Sequence, residues 1–269
     1  MNADIWTNFG FSVLALALCL IPLWRIALKI DDASIIDVFW GAGFGIVALV
    51  CLALLDQHTP YTTLLALLPI IWAVRLSTYL ATRNLGKDED PRYTHMRKGK
   101  LARNWPKYTA IYVFGLQGAL IAVISAPIWW GLAAANNSGI GWLSIIGAVL
   151  WLAGFVFETV GDAQLSAFKK KHAGFDGPKD EKPVLNAGLW RYTRHPNYFG
   201  NACMWTGIWL IACQAPWGWV TLFSPIIMTV FLVFISGKGL LEKTLGKREA
   251  YVDYMERTSG FFPLPPRKK

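Results

Sequence analysis

The chain has 269 residues, 54% of them hydrophobic and only 16% charged, with 14 Trp. That is too apolar and too rich in Trp for an ordinary soluble domain, and the apolar residues come in blocks of about the 20 residues needed to cross a bilayer. The net charge of +9 could point to nucleic acid, but its distribution along the chain is explained by membrane topology, and no nucleic-acid partner is expected.

Seven spans are predicted, at roughly 5–28, 35–55, 61–83, 108–132, 139–167, 198–214 and 217–236, with a tail over 237–269. The expected fold is all-α: one polytopic integral membrane bundle of seven transmembrane helices over 1–269, with a cytoplasmic C-terminal helix. Lys and Arg fall in alternate connections. Arg25 and Lys29 follow span 1, eight lie from Arg83 to Lys107, seven from Lys169 to Arg194, and eight from Lys238 to Lys269. The connections near Asp56–Pro60, Ala134–Ser138 and Gln214–Pro216 carry none. By the positive-inside rule this puts the N-terminus outside and the C-terminus in the cytoplasm. Span 1 lacks a basic leader and a small-residue cleavage site, so no cleavable signal is expected. Cys19, Cys51, Cys203 and Cys213 all fall in spans without a CxxC pair and read as small core residues. His58, His95, His172 and His195 are scattered, and no metal site is expected.

Span 1 contains Pro22, a kink that packed neighbours tolerate. Ser34 is placed to cap span 2. Asp37 follows one turn inside. It reads either as a first-turn carboxylate favoured by the helix dipole or as an acid at the mouth of a membrane cavity. Gly41, Gly43 and Gly45 follow no strand, so they are small residues for close helix packing rather than a dinucleotide fingerprint. In span 3, Trp72, Arg75, Tyr79 and Arg83 share one helix face. Arg75 lies about 12 Å deeper than Arg83 by helix rise and needs a carboxylate, water or an anionic ligand; Asp37 reaches it if spans 2 and 3 are neighbours. The next connection is polar, and Asp90-Pro91-Arg92-Tyr93 is a turn signal. Span 4 has little polar content beyond Gln117. Span 5 ends with Glu158 and Asp162, one turn apart, then Lys169, Lys170 and Lys171. The two acids suit cofactor hydroxyls or an amide, and equally pairing with Lys at i+4 or with Arg elsewhere.

The densest chemistry lies in Gly188–Gly200, read GLWRYTRHPNYFG. Arg191, Arg194 and His195 are set among Trp190, Tyr192 and Tyr198, and Pro196 allows a helix to start at about Asn197. Arg offers a rigid fork of donors that fits phosphate, His donates to an anion or moves a proton, and a helix N-terminus adds free N–H groups. Together these read as a site for a polyanionic cofactor. The competing reading is an interfacial loop that snorkels its charges and anchors the bundle with aromatics. Beyond span 7, Lys238, Leu240, Leu241, Glu242, Leu245, Tyr251 and Tyr254 recur at roughly helical spacing. They predict a helix lying against the bundle and closing the pocket, stopped by Phe262-Pro263-Leu264-Pro265-Pro266.

RYTRHPNYFG, SGKGLLEK and AYVDYMERTSGFFPLPP in the C-terminal half, with SIIDVFWG, WAVRLSTYL and EDPRY in order before them, resemble the bacterial branch of the steroid 5α-reductase family, the DUF1295 group. The resemblance implies a seven-helix bundle in the bacterial inner membrane with NADPH bound from the cytoplasmic side. It further implies reduction of the C=C bond of a hydrophobic α,β-unsaturated ketone, steroid-like or another isoprenoid lipid. Asp37 matches the catalytic carboxylate, which acts with a tyrosine. A gap-free match puts Trp72 at the tyrosine position, with Tyr79 two turns away as the candidate. Glu158 and Asp162 match an Asn/Asp pair that binds the nucleotide, Lys169 a phosphate-binding Arg, and Asn197 an Asn near the nicotinamide. Asn201 stands where this family usually has Glu, and Glu242 where the steroid enzymes have His. Arg83, Arg191, Tyr192, Arg194, His195, Tyr198 and Glu242 complete the expected cofactor-binding set. Isoprenylcysteine and phospholipid methyltransferases also use an RHPxYxG loop, a downstream Glu and a Tyr-containing tail, to hold S-adenosylmethionine. Arg194-His195-Pro196-Asn197-Tyr198 and Glu242 fit that alternative. A non-enzymatic lipid-binding or transport role is a third.

Overall fold

A computed structural model describes residues 4–98, 104–135, 139–178, 181–235, 242, 245–246 and 248–267. Among them every extended element is helical: α1 (Ile5–Ile30), α2 (Ile35–Ala53), α3 (Pro60–Asn84), α4 (Pro91–Lys98), α5 (Trp105–Ile124), α6 (Ala126–Ala133), α7 (Trp142–Lys171), α8 (Pro196–Ala212), α9 (Gly218–Ile235) and α10 (Glu249–Arg257). Six of these, α1, α2, α3, α5, α7 and α9, are long and apolar enough to cross a membrane. The predicted sixth span forms α8, of 17 residues. At the helical rise it reaches about 25 Å, short of a hydrocarbon core of about 30 Å. The predicted fourth span is two helices, α5 and α6, broken at Ser125 with Pro127 in the first turn of the second. Val149, Leu152 and Val156 form an exposed stripe along α7. Such a run of bare aliphatic side chains is at home against lipid and costly against water.

The chain divides into two compact units, Met1–Ile145 with Ile208–Ser224 and Ile146–Gly207 with Pro225–Lys269. In the first, α2 is central and packs on α1, α3, α5 and α6. Its GAGFG run is what lets it do so. A Cβ on Gly45 would come within 2.8 Å of Ala73 on α3, and one on Gly43 within 2.8 Å of Ile121 on α5. Two sequence expectations are corrected here. Ser34 does not cap α2 with its side chain; its hydroxyl donates to Asp32 Oδ1 at 2.6 Å, because Asp32 offers a charged acceptor two residues away. Asp90-Pro91-Arg92-Tyr93 is the start of helix α4 rather than a turn. Pro91 presets the first helical φ, and the Asp90 carboxylate accepts from the Arg92 N–H at 2.9 Å.

In the second unit, α7 and α8 cross at Gly154 and Gly200. A Cβ on either would collide with the other's carbonyl oxygen, so only glycine permits this backbone approach. The tail returns onto the 188–195 segment. Thr193 bridges Ser259, the Arg194 N–H donates to Ser259 O at 2.9 Å, and the Leu264 N–H donates to Tyr192 O at 3.0 Å. Helix α10 buries Tyr251 and Tyr254, and the Tyr254 hydroxyl donates to Trp190 O. Lys238, Leu240 and Leu241 of the predicted amphipathic tail lie outside the described residues.

Candidate functional site

The first unit holds a polar network around Asp37. One turn into α2, Asp37 is half-buried and flanked by α4. Its Oδ1 accepts from the Tyr93 hydroxyl at 2.8 Å, and its Oδ2 accepts from Arg92 Nη2 at 2.6 Å. Gln117 Nε2 on α5 donates to the Tyr93 oxygen at 3.3 Å. Burial of Tyr93 and the adjacent Asp37 carboxylate both push the phenol's pKa up, so Tyr93 stays protonated and a donor at any physiological pH. Arg97 on α4 bonds Glu89 at 2.8 Å, and Glu89 in turn accepts from the Ala33 N–H at 2.8 Å.

Tyr79, the tyrosine expected beside Asp37, is placed differently. The guanidiniums of Arg75 and Arg83 lie 5.2 and 5.5 Å from its ring centroid, a cation–π stack along one helix face. The residues that sequence reasoning passed over are Tyr93, Arg92 and Gln117. Their signals were present: Asp90-Pro91 is a capped helix start as well as a turn, and Gln117 is a lone amide in an apolar span.

The second unit holds the other cluster. Beyond the glycine crossing, Glu158 and Asp162 on α7 face Asn197 and Asn201 on α8. Glu158, Asp162 and Asn201 are buried. Asn197 Nδ2 donates to Asp162 Oδ1 at 3.1 Å. Asn201 Oδ1 is buried with no hydrogen-bond partner among the described residues, an acceptor suited to an amide or hydroxyl donor. Pro196 opens α8 as expected.

Ahead of α8, Thr193, Arg194 and His195 are all buried, so this part of the loop does not snorkel. Arg194 donates from Nε to Glu242 Oε1 at 2.8 Å and from Nη1 to Met255 O at 2.9 Å and Thr258 O at 2.5 Å. It therefore ties the loop to the end of α10, where carbonyls lack helical partners. His195 Nε2 lies 3.1 Å from the same Glu242 oxygen, and its ring stacks on Tyr198 with centroids 5.1 Å apart and planes 3° from parallel. Burial acts to raise the Glu242 pKa, but the bonds from His195 and Arg194 outweigh it and hold it at about 2. Burial, then Glu242, pushes Tyr251 up to about 12. Arg191 and Tyr192 are exposed, as are Lys169 on α7 and Arg83 on α3.

Long apolar helices with buried polar networks define a helical membrane protein. The chain belongs to the family described as "Protein of unknown function (DUF1295)", which matches residues 23–258. It is also similar to "Uncharacterized protein C594.04c" of Schizosaccharomyces pombe (strain 972 / ATCC 24843), with 23% identity over 297 residues covering 97% of this chain and 82% of that protein. No solved structure matches the chain.

Proposed function

We propose that the protein is an NADPH-dependent reductase that saturates the C=C bond of a hydrophobic α,β-unsaturated ketone, a steroid-like or other isoprenoid lipid, within the membrane. The observation that carries this reading is the Tyr93–Asp37 bond of 2.8 Å, with Gln117 donating to the same phenol oxygen. Gln117 fills one acceptor position of Tyr93, which leaves the phenol proton able to turn from Asp37 to a ketone oxygen. A donor aimed at that oxygen stabilises the negative charge that gathers there as the β-carbon is reduced. Asp37 orients the hydroxyl and is itself fixed by Arg92. NADPH, when bound, supplies the hydride to the β-carbon; the proton for the α-carbon comes from water.

The second unit supplies groups that fit such a cofactor. Glu158 and Asp162 are acceptors for ribose hydroxyls or a carboxamide, and the orphaned Asn201 Oδ1 asks for a donor of that kind. Lys169 and Arg191 are exposed cations for its phosphates, with Tyr192 next to Arg191 in sequence and Asn197 bonded to Asp162. In this reading the C-terminus is cytoplasmic, where NADPH is found. A second reading, an S-adenosylmethionine-dependent membrane methyltransferase of the isoprenylcysteine or phospholipid type, draws on the joint hold of Arg194 and His195 on Glu242.

Titration of the detergent-purified protein with NADPH, NADH and S-adenosylmethionine separates the two, because a ligand specific to the native state raises apparent stability by mass action. The expected result is thermal stabilisation by NADPH, and oxidation of NADPH when a hydrophobic enone is added. Stabilisation by S-adenosylmethionine alone would replace the reductase reading with the methyltransferase one.

A further inference from the structure

Arg191, Arg257 and Arg267 line one cleft of about 640 Å³ in the second unit, together with Asn186, Tyr254 and Thr258. The three guanidiniums come from distant points in the chain. Arg191 ends the 3-10 turn Gly188–Arg191, Arg257 is the last residue of α10, and Arg267 follows the proline-rich stretch. The walls are tied together. The Arg267 N–H donates to Arg257 O at 2.9 Å, the Leu264 N–H to Tyr192 O at 3.0 Å, and the Tyr254 hydroxyl to Trp190 O. Arg257 has a carboxylate partner one turn back, Asp253, yet none of the described residues lining the cleft is acidic. Three like charges held on one small cleft repel one another, and an anion that bridges them relieves the repulsion. Guanidinium forks match the geometry of phosphate oxygens, and Thr258 and Asn186 add neutral polar groups.

We propose that this cleft binds a phosphate group, carried either by a small soluble compound or by the headgroup of an anionic phospholipid. Of the groups in the reductase reading the cleft shares only Arg191; it uses neither the Asp37 network nor Glu158, Asp162 and Asn201, so it stands if that reading fails.

The test uses the full chain in neutral detergent at constant ionic strength set with sodium chloride. Thermal stabilisation is followed with inorganic pyrophosphate, and separately with mixed micelles of phosphatidylglycerol or phosphatidylcholine. Stabilisation by pyrophosphate or phosphatidylglycerol, but not by phosphatidylcholine, is expected. The apparent affinity should fall about tenfold or more in Arg257→Gln/Arg267→Gln, which leaves Arg191 in place, as charge-assisted bonds are lost. A response to pyrophosphate alone identifies a soluble phosphate, and one to phosphatidylglycerol alone a lipid headgroup. No response to either source overturns the proposal, as does an equal response in the double variant. Should that variant not fold, Arg267→Gln at an exposed residue carries the same comparison.

Discussion

Tyr93 and Tyr79, both in the first unit, make opposite predictions. The phenol of Tyr93 bonds Asp37, whereas the ring of Tyr79 is stacked between Arg75 and Arg83. Tyr93→Phe is therefore expected to lower enone reduction by about 10²-fold or more, the usual loss when one donor to a developing oxyanion is removed. Tyr79→Phe should keep most of the rate. Asp37→Asn should abolish turnover and leave NADPH affinity unchanged, read from thermal shifts beside the NADPH oxidation rate; a parallel loss of affinity would remove Asp37 from the chemistry. Glu242 carries a pH prediction. Its carboxyl is held at about 2, below the ordinary value of 4.5, so its contribution to stability is complete above about pH 4.5 and is lost as pH falls toward 2. Acid melting of the wild type should steepen through that window, and Glu242→Gln should flatten it. Asp37 was legible in the sequence because a carboxylate inside an apolar helix is conspicuous. Its tyrosine was not, since which phenol reaches it depends on where α4 lies.

At the level of elements, the α7–α8 crossing is set by two glycines with no room for a methyl group. Gly200→Ala is expected to destabilise the protein by about 1–3 kcal/mol, the typical cost of overpacking, or to prevent its accumulation. Gly10→Ala on α1, where nothing lies within 4 Å, should have no such effect; equal melting of the two variants would remove the crossing from the account. This contact brings Glu158 and Asp162 on one helix against Asn197 and Asn201 on the other, each pair spaced by four residues on one face. The acids were readable from their position at the end of an apolar run. That Asn197 bonds Asp162 required the register of two helices, with the pair 35 residues apart in sequence. The start of α4 reads as a turn in the sequence because Asp-Pro opens turns and helices alike, and the side-chain bonds that hold it as a helix are made to Asp37 and Asp31.

For the molecule as a whole, the number of crossings and the side of each terminus are linked. An odd number puts the ends on opposite sides and an even number on the same side. We propose from the alternating Lys and Arg connections that the C-terminus is cytoplasmic and the N-terminus outside, an arrangement in which the 17-residue α8 would cross with the six longer helices. Reporter fusions at each end check this, and both ends on one side would take α8 out of the membrane. A short helix can cross where it is packed by protein or the bilayer thins around it.

The sequence by itself determined that the chain is helical and built for a membrane, because hydropathy and charge act locally and need no partner. It also located the Arg194-His195 segment, Asp37, and the Glu158–Asp162 pair, since polar groups in apolar runs stand out one by one. Tertiary structure alone decided what each of them touches. Arg194 looked like a fork for phosphate and is bonded to Glu242 and two carbonyls near the end of α10. Three arginines spread from 191 to 267 line one cleft. Hydrogen bonds and ion pairs are short-ranged and directional, so their partners follow from the packing of distant segments, which no local pattern records.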